Sequence, residues 1–375
     1  MQEGVCRGIF TVSLEMYGIF QNILRMKRER KGNMTEQNKT KKQFMIFLLI
    51  AYGLTYVMGI VTWYGSTIPV EMSVFPSAQM FYPAAGVMTA YLLTQWEDEL
   101  LPRGFYICFL AVTHVMVVCC VLAVIAPGEP VSLNGQTFSR WSLISQYVII
   151  VGTVLCFIAL LFAGKERREK YGLKWKNWKG SLFCIFVFLV FYFGRAAVSY
   201  ALGGEAGTIL DIVRNPVAWG YLIAMPINFM LSFAPFFGEE YGWRYYLQPI
   251  LQKRFGMKKG VLLLGVVWGL WHIFLDFFFY TTPDRGLIMT VSQIITCLGL
   301  GIFFAWAYLK TENIWVPVIL HFLNNNLILL VSNDYSVGVL QNQAVTWEMI
   351  PSAILLNGVL FGVFILSKEF RKEEK

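Results

Sequence analysis

"FFGEEYGWRYY", residues 236–246, sets two glutamates and an arginine directly after an apolar run that reads as membrane-spanning. Charge at membrane depth is expensive, so the stretch asks what kind of chain would hold it. The 375 residues are 57% hydrophobic and only 14% charged, whereas soluble domains run nearer about a quarter charged. This is the composition of a polytopic membrane protein. An aromatic content of 16%, with 12 Trp and 18 Tyr, suits many helix ends anchored at the bilayer interface. The net charge of +8 sits between apolar segments rather than on a soluble domain, so it reads as a topology signal and not as a nucleic-acid surface. The seven cysteines lie mostly inside apolar runs without metal-type spacing and read as small hydrophobes.

Working outward from that stretch, apolar runs occur at 44–62, 79–95, 105–126, 145–163, 181–201, 216–237, 260–280, 287–309, 315–332 and 350–367. Each approaches the ~20 residues a spanning helix needs. The expected fold is therefore an all-α polytopic bundle of about ten transmembrane helices, in a range of eight to ten because 79–95 and 315–332 are short. Loop charge orients it. With the N-terminus cytoplasmic, the inside segments carry 27 of the 31 Lys and Arg; the outside loops carry only Arg140, Arg214 and Arg285, and Arg195 lies within a helix. The positive-inside rule then places both termini in the cytoplasm. The chain divides into a basic cytoplasmic arm at 1–43, helices at 44–214 without evident catalytic residues, a polar-bearing core at 215–335, and a last helix with a basic tail at 336–375. The arm lacks the layout of a signal peptide; a short interfacial helix at 8–24 is expected, and Met34 is an alternative start.

Intramembrane ionisable groups cluster in the second half. His272 lies four residues after Trp268 and four before Asp276, and His321 lies four before Asn325. Offsets of four share one helix face, so Trp268, His272 and Asp276 form one stripe and His321 and Asn325 another. Glu240 and Arg244 share a face, with Glu239 about 100° away. Each group alone has a plain explanation: a hydrogen-bonded core histidine, juxtamembrane charges with one i,i+4 pair, and asparagines as interhelical glue. Their concentration in five consecutive helices weakens that explanation. His114 reads as core, Arg195 as snorkelling from the outer end of its helix, and "YYLQPILQKRF" as an interfacial amphipathic segment.

Glu239-Glu240-xxx-Arg244, Trp268-xxx-His272 and His321-xxx-Asn325, in this order on successive membrane segments, resemble the CPBP family of intramembrane proteases. That family is also called Abi, and includes type 2 CAAX prenyl endopeptidases and bacteriocin-immunity relatives. The resemblance covers about residues 215–335. It departs at Trp268, where many members carry Phe. It implies a peptidase in which Glu239 activates water, His272 holds that water, and His321 and Asn325 stabilise the oxyanion. Glu240 with Arg244, and Trp268 and Asp276, would support them. A desolvated glutamate suits a general base, and neither a serine triad nor HExxH is present to suggest other protease chemistry.

The same residues also compose a metal set. Glu239, His272 and His321 are two histidines and a carboxylate, suited to Zn²⁺ with an open position, whereas Asn325 is a better oxyanion donor than zinc ligand. The cofactor is thus none or Zn²⁺. Placed at the cytoplasmic end of its helix, Glu239 predicts a cavity open to the cytosol in a multi-pass cell-membrane protein, with kinks at Pro226 and Pro235. At roughly 1.5 Å per residue His272 lies about 18 Å, and His321 about 9 Å, beyond their helix starts. The expected partners are the lipid bilayer and a peptide or membrane-protein substrate, with or without a lipid group; no nucleic acid is expected. The competing readings are a catalytically idle immunity or partner-binding protein and a proton-coupled transporter, the latter disfavoured by the lack of an internal repeat.

Overall fold

The computed structural model describes residues 36–371 apart from 134–135 and 336–337. The expected helix at 8–24 and the alternative start at Met34 lie outside the described residues. The described residues from Met45 onward make one compact unit, distinct from those before it.

The fold is helical, as the composition requires: buried backbone in hydrocarbon must bond within its own segment. In order, the helices are α1 (Glu36–Gly65), α2 (Val74–Gln79), α3 (Tyr82–Thr94), α4 (Arg103–Ile125), α5 (Arg140–Phe162), α6 (Trp178–Leu202), α7 (Pro216–Phe255), α8 (Met257–Leu270), α9 (Ile273–Tyr280), α10 (Pro283–Thr311), α11 (Trp315–Val331) and α12 (Trp347–Leu366). The strands among the described residues are one antiparallel pair, Val131–Leu133 with Gln136–Phe138. Among the described residues seven helices are long and apolar enough to cross a membrane, or eight if the bent pair α8–α9 is one span.

Two of the ten expected spans fall short. The run at 79–95 is interrupted at Met80–Phe81, and α3 has only 13 residues, with Pro83 in its first turn. Most of those residues are buried, which marks a core helix inside the bundle rather than a lipid-facing one. The run at 315–332 forms α11, of 17 residues. By contrast Leu49, Phe162 and Ile223 are exposed, an apolar exterior that suits lipid. His114, expected in the core, is instead exposed on α4, because Phe109, Val112, Thr113 and Met116 take its buried face.

The seventh expected span is broken. α8 ends at Leu270, α9 begins at Ile273, and the axis bends by 40° across Trp271 and His272. α7 also departs from regularity. It extends over 40 residues, but Ser232 takes non-helical angles (φ −140°, ψ 20°) three residues before Pro235, and Tyr241–Leu247 widens into a π-helix. Proline removes an i to i−4 bond and crowds the preceding turn, and π-segments recur at functional sites. The kink expected near Pro226 and Pro235 therefore falls at Ser232.

Candidate active site

The charges of the opening stretch lie within α7, not at its end. Glu239 is 2% exposed, Glu240 and Arg244 are 0% exposed, and the helix continues past them to Phe255. Buried charges must be paired, and Glu240 and Arg244 are. Arg244 Nε donates to Glu240 Oε2 at 2.8 Å, and its Nη1 donates to the Gly301 carbonyl at 3.4 Å. The guanidinium lies 4.9 Å from the Trp268 ring centroid, a cation–π contact. The second Glu240 oxygen accepts from His321 Nδ1 at 2.9 Å. Glu240 thus bridges α7 and α11, a link that spacing along one helix could not reveal.

Glu239 turns elsewhere. Its Oε2 accepts from the indole of Trp268 at 2.7 Å and from that of Trp243 at 3.3 Å. Trp268, expected as a supporting residue, is therefore a hydrogen-bond donor to Glu239, which phenylalanine could not be. His272 Nδ1 donates to the Trp268 carbonyl at 2.9 Å. A carbonyl only accepts, so this bond sets the tautomer, and Nε2 is the ring nitrogen left available. His321 is fixed in the same way by the Glu240 carboxylate. Asn325 Oδ1 accepts from Asn324 Nδ2 at 3.0 Å, leaving its own amide N–H groups to other partners. Asp276 is buried and joins His272 only through the backbone, its N–H donating to the His272 carbonyl at 2.9 Å. The His272 Nδ1 that an acidic partner would hold is already engaged.

The break at Trp271–His272 is braced by elements the sequence reading left without chemistry. Gln79 Nε2, at the end of α2, donates to the Trp271 carbonyl at 3.0 Å. Trp271 Nε1 donates to the Ala51 carbonyl at 2.7 Å, and Tyr52 OH donates to the Val267 carbonyl at 3.1 Å. Two glycines of the opening stretch hold α7 close to the α2–α3 turn. A Cβ on Gly238 would collide with the Met80 carbonyl oxygen and Phe81 Cα, and one on Gly242 with Pro83. Their four-residue spacing around the glutamates is a small-xxx-small packing signal, legible in the sequence and overlooked beside the charges.

Glu239, His272, His321 and Asn325 line one cavity of about 340 Å³, together with Trp268, Arg195 and Asn357. Its walls come from the C-terminal part of α6, the N-terminal half of α10, the turn at Pro76–Met80 and the connection between α11 and α12 (Leu340, Gln343, Val345). Of the lining residues only Glu239 falls within the basic segments 96–104, 164–180, 238–259 and 310–314. The chamber thus occupies the Lys/Arg-poor end of the bundle, with Glu239 at its inner limit. The expected opening to the cytosol does not follow from this lining. It rested on a helix ending at residue 237, and α7 does not end there.

As a zinc site the residues do not fit. Among the described residues no group of three or more His, Cys, Asp or Glu side chains is placed to hold a metal ion. The metalloprotease form of the reading therefore lacks support in the donor geometry.

Residues 219–327 match the Rce1-like family, described as type II CAAX prenyl endopeptidase Rce1-like. The CAAX prenyl protease 2 of Methanococcus maripaludis is 34% identical over 106 residues, which cover 27% of this chain and 39% of that relative. The chain thus spans about two fifths of the length of the curated relative it matches. No solved structure matches it. Its sequence motifs and the match over 219–327 agree, and over that segment the chain is similar to the CPBP family.

Proposed function

We propose that this protein is an intramembrane endopeptidase of the CAAX-processing type, hydrolysing a peptide bond with a water activated by Glu239. The observation that carries the reading is the division of the glutamate pair. Glu240 is consumed by Arg244 and His321, while Glu239 has one oxygen held by two indoles and lines the cavity. A carboxylate held at one oxygen keeps the other for water, and its orientation is fixed before substrate arrives.

In this scheme Glu239 takes a proton from the water, and His272 Nε2 holds the same water from the broken helix. The hydroxide attacks the scissile carbonyl, and the oxyanion forms against Asn325 and His321. Donation from His321 needs a proton on Nε2 as well as on Nδ1, and the Glu240 carboxylate supplies the counter-charge for a doubly protonated ring. The proton held by Glu239 then passes to the leaving amine. Trp268 and Trp243 position the base, and Asp276 is left a structural role.

The substrate would be a peptide or membrane protein, prenylated or not. On the loop-charge orientation it would enter from the side opposite the basic loops, rather than at the cytoplasmic leaflet expected from sequence. The test is proteolysis in detergent or proteoliposomes with Glu239→Ala, His272→Ala and His321→Ala. All three should lose turnover while remaining folded; wild-type turnover in all three sinks the assignment. Activity should survive a strong chelator, and loss of activity restored by added zinc would return the metal set. An immunity phenotype that survives Glu239→Ala, with no substrate cleaved, would favour the idle-protein reading.

A further inference from the structure

Two thiols outside the chamber meet across a pair of packed helices. Cys108 on α4 and Cys156 on α5 are 48 residues apart in sequence, and Cys156 Sγ donates to Cys108 Sγ at 3.8 Å. Helix register explains the meeting. A Cβ on Gly152 would lie 2.7 Å from the Val112 side chain, so the two backbones approach closely there. Cys108 lies one turn back along α4 from Val112, and Cys156 one turn forward along α5 from Gly152. The antiparallel register that seats Val112 on Gly152 therefore seats one thiol on the other. The two are unequal, since Cys156 is 0% exposed and Cys108 is partly exposed.

Their depth and their neighbours give the pair a role. Cys108 lies about 7.5 Å into α4 from Arg103, and Cys156 about 9 Å before α5 ends at Phe162. Both helix ends adjoin the basic segments 96–104 and 164–180. On the loop-charge orientation that end faces the cytosol, where thiols rest reduced and a disulfide is a transient, redox-sensing bond. α4 also backs the turn that carries the glutamates. Tyr106 OH bonds Tyr241 OH at 2.7 Å, and the rings of Phe105 and Phe109 lie 5.5 and 5.9 Å from that of Phe237. Phe237 and Tyr241 flank Glu239 and Glu240 on α7.

We propose that Cys108 and Cys156 are a modification site, a dithiol that peroxide converts to a disulfide and so fastens α4 to α5. The site rests on the thiol pair alone and not on the endopeptidase reading. Cys108, the exposed member and the acceptor of the S–H bond, is the thiol that meets hydrogen peroxide. Its sulfur attacks one peroxide oxygen, the O–O bond breaks, and the thiol proton leaves with the departing hydroxide as water. The product is a sulfenic acid. Cys156 sulfur then attacks Cys108 sulfur; the S–S bond forms, the S–O bond breaks, and the hydroxyl leaves with the Cys156 proton as a second water. The two thiols have given up two electrons, and the peroxide has taken them. A dithiol reductant reopens the bridge by exchange. The close approach at Gly152 leaves a gap that side-chain rotation can cover.

The test takes the full-length protein in detergent, reduces it with dithiothreitol, removes the reductant and adds hydrogen peroxide sufficient to oxidise a free peptide thiol. Digestion without reductant and mass spectrometry should then find two peptides joined through Cys108 and Cys156, lighter by the two thiol hydrogens. Dithiothreitol should separate them. Oxidised wild type should unfold at a temperature at least about 3 °C above the reduced protein, because the bridge closes a long loop. Cys156→Ser should lose that rise and leave a sulfenic acid at Cys108 that dimedone traps, whereas Cys108→Ala should leave the Cys156 thiol unmodified. Both thiols still free after peroxide overturns the site. So does wild-type oxidation that stops at the sulfenic or sulfinic acid, or a bridge from Cys108 to another cysteine or a second chain. A thermal rise that persists in Cys156→Ser overturns it as well.

Discussion

Arg244→Met offers the sharpest test of how the glutamate pair is divided. Arg244 and Glu240 are both 0% exposed and 2.8 Å apart, so the substitution leaves a buried carboxylate without its cation. Breaking a buried pair in this way costs about 3–5 kcal/mol. His321, 2.9 Å from the other Glu240 oxygen, can supply part of the missing charge, which points to the lower end, about 3 kcal/mol. Methionine keeps most of the apolar stem against Trp268 and Phe304, so little of the loss is packing. If the loss comes from the stranded charge, Glu240→Gln in the same chain should restore most of it. Replacing both members of a buried pair is often close to neutral, and glutamine can still accept from His321. The assay is unfolding in mixed micelles followed by tryptophan fluorescence, on the two single variants and the double. A loss below about 1 kcal/mol for Arg244→Met refutes the reasoning, as does a double variant no more stable than the single.

Trp268→Phe keeps the ring and removes the N–H that reaches Glu239 at 2.7 Å. A hydrogen bond to a charged group contributes about 1.5–3 kcal/mol, so turnover should fall by at least about tenfold with little change in unfolding; unchanged kcat would show that Glu239 is positioned without it. Outside the spans, Asp98 accepts from Tyr171 OH at 2.6 Å and pairs with Lys170 at 2.7 Å. Partial burial pushes its pKa up, but Lys170, Tyr171 and the Leu100 N–H outweigh this and hold it down at about 2. Because the folded value lies below the unfolded one of about 3.9, its stabilisation is present above that value and fades as pH falls towards 2. The difference in thermal stability between wild type and Asp98→Asn should therefore shrink below about pH 4, and a gap independent of pH would refute the linkage. A single cysteine in place of Gln343, in a cysteine-free background, should react with a membrane-impermeant maleimide from outside intact cells. Labelling only after the cells are opened would place the chamber on the cytosolic side.

The sequence carried the architecture well where length and charge density decide it. Long apolar runs became helices because within one such segment only a helix satisfies its own backbone groups in hydrocarbon, and the fold class followed. It misjudged 79–95, since a fully buried core helix and a membrane span share one composition and differ only in what surrounds them. In the site, the residues that meet in one cavity were legible from i,i+4 offsets and motif order. Their partners were not. That His321 bonds Glu240 and not Glu239, that Gln79 caps a carbonyl freed some 190 residues later, and that Arg195 turns inward are facts of tertiary packing with no local signal. Gly238 and Gly242 were readable, being small residues one turn apart on either side of the glutamates. The break at His272 had a weaker cue in the two glycines, Gly265 and Gly269, that let α8 lie against α10.

The buried triangle of Arg244, Glu240 and His321 has a consequence for how such chains can drift. No vertex can be exchanged alone without stranding a charge or an unpaired ring nitrogen in a place water does not reach. A lineage descended from this sequence should therefore keep all three positions or exchange them together, and descendants that lost Glu240 should have lost Arg244 too. Glu239 is under no such bond: its neighbours are neutral indoles, and a chain that gave up hydrolysis could replace it with glutamine and keep its architecture. Relatives carrying an altered first glutamate beside an intact second one are where to look for members that kept the fold without the proposed reaction.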